Sequence, residues 1–184
     1  MLEFSLRGMR IRLTFGFFAA VGLTASLGGA GQESLLTVLL CSLMHELGHI
    51  AVMLCLGITP GTVTFCAGGI ALPAKELDCS CGKAVLILLA GPAVNLLSAA
   101  VSILTGQTGT FAAASLALGI FNLMPFRSFD GGRIYACLRG SEPPRIMQAA
   151  ALILPVLCAV LTVIRGSIPL SLILAAVFVL TDNK

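Results

Sequence analysis

His45, Glu46 and His49 stand within five residues of one another in CSLMHELGHIAVML (residues 41–54), three groups that hydrocarbon rejects inside a strongly apolar stretch. On a helix, positions i and i+4 share a face. His45 and His49 can therefore offer ring nitrogens to one cation while Glu46, one step round, reaches water at that cation. This is the H-E-x-x-H logic of zinc peptidases, with the carboxylate as general base and acid. The chain has no other histidine. A lone buried histidine reads more simply as a packing residue, and a lone glutamate as a helix-pairing device. All three together, at ligand spacing in a helix where an ionisable group costs roughly 2.5–3.5 kcal/mol to insert, read as a metal site.

A catalytic zinc needs a third protein ligand and an open position. Only eight acidic residues are present. Glu3, Glu33, Glu142 and Asp182 sit at distal or surface positions, and Glu76 and Asp78 lie in a polar loop. Asp130 differs. It follows an apolar run in FNLMPFRSFDGGRI, where Pro125 is expected to end a helix and Gly131 and Gly132 to let the backbone turn sharply. If the segment after Pro125 folds back, Asp130 reaches the depth of the histidines; irregular backbone at that depth is tolerated beside a wet cavity. The competing reading is an aspartate capping a surface turn.

The elements that must hold these groups are membrane spans. The chain has 184 residues, of which 58% are hydrophobic and 10% charged, with no tryptophan. Its mean hydropathy is +1.04, far outside the range of soluble domains. About 20 apolar residues cross a bilayer, and six runs approach that length: 13–30, 34–56, 84–105, 109–126, 146–164 and 167–181. The expected fold is an all-α membrane protein, a single domain of six transmembrane helices with a short β-hairpin or re-entrant strand segment after the second. That strand segment is 58–72, rich in Thr, Val, Ile and Phe and punctuated by Gly68 and Gly69. The connection 127–145, with two prolines and three glycines, is expected to be irregular or to carry a short surface helix. Arg7, Arg10 and Arg12 before the first run also fit a signal peptide, but the run is long for one, and five further spans need a partner for it.

With the N-terminus inside, the cytoplasmic side holds ten of the eleven basic residues and the outer side Arg165 alone. The net charge of +3 thus reflects topology, and no basic, aromatic-interleaved patch points to nucleic acid. Seven cysteines, several in or beside spans, argue for reduced thiols over a disulfide framework. Ala112, Ser115 and Gly119 read as close-packing positions.

HELGH (45–49), AGPAVN (90–95) and FNLMPFRSFDGG (121–132), in that order, resemble the site-2 protease family of intramembrane zinc metalloproteases, nearest its short bacterial branch that includes the sporulation-factor-IVFB-like peptidases. The resemblance runs over about residues 40–135. It implies one zinc ion per chain on His45, His49 and Asp130, with Glu46 as catalytic acid and base, and Asn122 and Asn95 as polar groups that orient substrate or ligands. It implies a membrane-protein substrate cut within or near its transmembrane segment, in a bacterial cell membrane, with the active site opening to the cytoplasm. Arg127 and Ser128 depart from the apolar residues usual between Pro125 and Asp130. Two other readings use the same residues: a metal transporter or sensor, and a silent relative that binds membrane segments without cutting them. Ion paths chain many polar groups through a membrane, and the outer halves of these spans offer almost none. Glu46 is superfluous to mere zinc binding.

Overall fold

The N-terminal residues alternate, LEFSL and then MRIRL, and a period of two makes strands. In the computed structural model, which describes residues 2–6, 9–13, 29–59, 61–66, 69–71, 79–127, 129–151 and 153, these segments are β1 (Leu2–Leu6) and β2 (Met9–Leu13). They pair antiparallel, Leu2 opposite Leu13 and Leu6 opposite Met9. Arg12 meets Glu3 across the pair at 3.3 Å. The strands β3 (Thr62–Cys66) and β4 (Gly69–Ala71) also pair antiparallel, and β3 lies parallel to β2, which gives one sheet in the order β1-β2-β3-β4. The expected strand segment after the second span is therefore half of a larger sheet. In the other half, Arg10 and Arg12 make the alternation look like a basic flank. Parallel neighbours need a long crossover. Here residues 14–61 supply it, and their described part holds one helix.

That helix, α1 (Gly29–Cys55), has 27 residues; α2 (Cys81–Leu104) has 24, and α3 (Thr110–Asn122) has 13. At 1.5 Å per residue the first two are about 40 and 36 Å long, enough for a hydrocarbon core of about 30 Å. Both are long and apolar enough to cross a membrane, over Leu36–Cys55 and Cys81–Leu104; α3 is apolar but shorter. The three helices pack on one another, and β4 packs on α1. These elements belong to one compact unit, Met1–Asn122.

The packing sets polar groups among the buried residues and leaves many leucines on the outside. From residue 36 onward the buried residues of α1 are Cys41, His45, Gly48, His49 and Met53, while Leu40, Leu47 and Leu54 are about half exposed. On α2, Asn95 is wholly buried and Leu97 is 65% exposed. Polar side chains inward and leucines outward is the arrangement that an apolar surrounding selects, since hydrocarbon solvates leucine and penalises an amide.

Of the six expected spans, 34–56 and 84–105 match α1 and α2 to within a few residues, apart from the earlier start of α1 at residue 29. The run at 109–126 ends as a helix at Asn122, before Pro125. The expected start of the first span at residue 13 is corrected, since Leu13 closes β2 and residues 29 and 30 open α1. Residues 14–28, most of 146–164 and all of 167–181 lie outside the described residues.

In the second unit, Leu123–Lys184, a turn at 123–127 leads into α4 (Asp130–Arg139), and α5 (Arg145–Ala151) follows. The glycines after Asp130 do not make the sharp bend expected of them. They lie inside the first turn of α4, where a Cβ on Gly131 would run into the Leu123 carbonyl and one on Gly132 into the Phe126 carbonyl. Phe129 N–H bonds to Phe126 O at 3.0 Å, and the Phe126 and Phe129 rings meet edge to face at 5.4 Å. Gly140, left-handed at φ 68°, stops α4 with its N–H on Ala136 O. The ion pair of Arg127 with Glu142 at 3.0 Å is solvent-exposed and worth at most about 1 kcal/mol.

Candidate metal centre

The i, i+4 spacing of His45 and His49 does what a helix requires: the rings stand edge to face with centroids 4.7 Å apart, and their Nε2 atoms are 3.1 Å from each other. Both residues are about 5% exposed. The neighbouring helix makes the space. Gly91 of α2 lies under the rings, and a Cβ there would fall 2.8 Å from His45 Nε2 and nearer still to His49 Nε2. Next to His49 in the chain, Gly48 lets α1 approach α2 so closely that a Cβ on it would lie 2.8 Å from the Ala90 carbonyl oxygen. Two glycines facing opposite helices thus set the backbone separation at the histidines.

The His49 ring is fixed from behind by its Nδ1–H, which donates to Ile87 O at 2.7 Å. A carbonyl only accepts, so Nδ1 carries the ring hydrogen and Nε2 keeps its lone pair. That is the orientation a metal-ligating imidazole needs. His45 has its Nδ1 3.4 Å from Asn95 Nδ2, and Asn95 is fully buried on α2. Neither Gly91 nor the Ile87 carbonyl was singled out from the sequence. The available signal was AGPAVN itself, since Ile87, Gly91 and Asn95 recur at i+4 and form the buried stripe of α2.

Glu46 is half-buried on α1, one helical step from His45. Asn122, the last residue of α3, donates its amide to Leu118 O of its own helix at 3.0 Å. Asp130 lies in the second unit as the first residue of α4 and is 6% exposed. A carboxylate there meets the positive end of the helix dipole, and burial of an ionised group demands a partner or a cation. Farther along α1, the buried Cys41 places Sγ 3.2 Å from Ser115 Oγ of α3, and Ala112 and Gly119 of that helix are also buried. The described cysteines form no disulfide.

The donor set suits a borderline-soft divalent cation. It offers two imidazoles, one already held in the ligating tautomer, in a cradle that any larger residue at 91 would fill.

No protein-family model matches the chain. A protein of Synechocystis sp. named "Putative zinc metalloprotease" is 36% identical over 102 residues, which cover 49% of this chain. The chain spans 27% of the length of that protein. In three dimensions the chain is similar to the site-2 protease from Methanocaldococcus jannaschii, with a TM-score of 0.65 over 97% of this chain and 91% of that one at 22% identity. The likeness read from three short motifs therefore extends to the fold.

Proposed function

We propose that this chain, which has the fold of a site-2 protease, is an intramembrane zinc metalloprotease that hydrolyses a peptide bond within or near a transmembrane segment of a membrane-protein substrate. In this reading His45, His49 and Asp130 hold one zinc ion, and Glu46 is the catalytic acid and base. The observation that carries it is the pair of buried imidazoles converging over Gly91 on a helix with a leucine-covered exterior. Zinc in that position would act as a Lewis acid, polarising the scissile carbonyl and acidifying water.

The protein's own groups do the rest. The Ile87 carbonyl keeps His49 Nε2 available. Glu46 takes the proton of the attacking water and delivers it to the leaving nitrogen. Asn122, at the end of α3, orients substrate. A helical substrate hides its carbonyls in internal hydrogen bonds and must be unwound first. The three-residue edge strand β4, packed on α1, offers main-chain groups to an extended segment by strand addition. In this reading the site opens to the cytoplasm of a bacterial cell, an orientation that the bias of basic residues favours.

Metal analysis of wild type, His45→Ala and Glu46→Gln, beside cleavage of single-span substrates, tests this. Wild type should hold about one zinc, and His45→Ala should lose both metal and activity. Glu46→Gln should keep the metal while cleavage falls on the order of 100-fold or more. A transporter or a silent binder would keep its activity in Glu46→Gln, and undiminished cleavage in that variant refutes the assignment.

A further inference from the structure

Asn95 treats its two amide atoms unequally: Nδ2 faces His45 Nδ1 at 3.4 Å, while Oδ1, equally buried, has no hydrogen-bond partner. Buried polar atoms are nearly always paired, so this one needs a reason. With His49 Nδ1–H committed to Ile87 O, one consistent hydrogen-bond chain runs from Asn95 Nδ2–H to His45 Nδ1, then from His45 Nε2–H to His49 Nε2. In that chain His45 Nε2 carries a hydrogen and cannot ligate a cation. Shifting the hydrogen to Nδ1 exposes the Nε2 lone pair with the ring still neutral, but Nδ1 then needs an acceptor. Half a turn of the Asn95 amide about its Cβ–Cγ bond brings Oδ1 there.

We infer that Asn95 is a positioning residue of the metal centre: its amide satisfies either tautomer of His45, and with Oδ1 toward Nδ1 it selects the one that ligates. Only an amide offers both a donor and an acceptor in that shape. A carboxylate accepts alone, and leucine does neither. The inference rests on the zinc reading above and assigns Asn95 to a ligand and not to the substrate.

The test is zinc affinity, by competition with a chromophoric chelator, and the zinc-induced rise in Tm, on full-length wild type, Asn95→Asp, Asn95→Leu and Asn95→Ala. Loss of such an outer partner costs about 10- to 100-fold in metal affinity, so Asn95→Leu and Asn95→Ala should bind zinc that much more weakly. Asn95→Asp should bind at least as tightly as wild type. Its zinc-induced rise in Tm should be the largest of the series, because an acceptor alone cannot serve the non-ligating tautomer. A merely structural role would lower every Tm and leave affinity and the zinc-induced increment unchanged. Equal affinities across the folded variants overturn the inference. If the Leu and Ala variants fail to fold, a zinc-induced rise in Asn95→Asp no larger than in wild type overturns it alone. Wild type that takes up no zinc overturns the metalloprotease reading and this inference together, whereas equal affinities in variants that bind zinc overturn this inference alone.

Discussion

At residue 91 a hydrogen atom is the largest side chain that the histidines tolerate. Alanine is the better helix former by about 1 kcal/mol, so on an open helix face Gly91→Ala would stabilise. Here the methyl group meets two rings held by hydrogen bonds on their far sides, and overpacking of this kind costs roughly 1–3 kcal/mol. The expected outcome is a lower Tm together with zinc affinity reduced at least about tenfold, read by chelator competition. A stabilised variant with normal zinc binding would contradict the geometry. The pairing of His45 with His49 was legible from the sequence because i, i+4 spacing is a property of one helix. The pairing of His49 with Ile87 was not, since backbone carbonyls carry no sequence signature.

The elements hold the site by close backbone approach. Gly132→Ala sets the same gain in helix propensity against a collision with the Phe126 carbonyl, and a backbone oxygen cannot rotate away as a side chain can. The clash should win: α4 shifts at its first turn and Tm falls in Gly132→Ala, and, with Asp130 as the proposed third ligand, bound zinc falls with it while expression of the protein persists. In the sheet, Ile70→Pro removes a main-chain donor from the edge strand β4. Cleavage of membrane substrates should drop, with one zinc retained; unchanged cleavage would discard strand addition. Helices α1 and α2 were readable as apolar runs. The strands β1 and β2 were visible as alternation in LEFSL and MRIRL, yet three arginines nearby favoured reading them as a charged flank. The end of α3 at Asn122 was placed too late because proline is a sufficient stop signal and not a necessary one.

For the molecule as a whole, a ligand that binds only the native state adds RT ln(1 + [L]/Kd), about 2.7 kcal/mol at 100 times Kd. Chelation should therefore lower the Tm of the detergent-solubilised wild type, zinc should restore it, and neither treatment should shift the Tm of His45→Ala. A Tm in wild type indifferent to chelator would count against a resident metal. Composition alone established the apolar character of the chain, because a mean hydropathy of +1.04 leaves too little polar surface for water. The spacing of His45, Glu46 and His49 alone established a metal-competent helix face, because helical geometry is local. What tertiary structure decided is everything that depends on another segment: the parallel register of β2 on β3, the glycine at 91 beneath the rings, the carbonyl behind His49 and the amide beside His45. Such partners are fixed by packing between elements distant in the chain, and no local pattern encodes which backbone atom will meet a given ring.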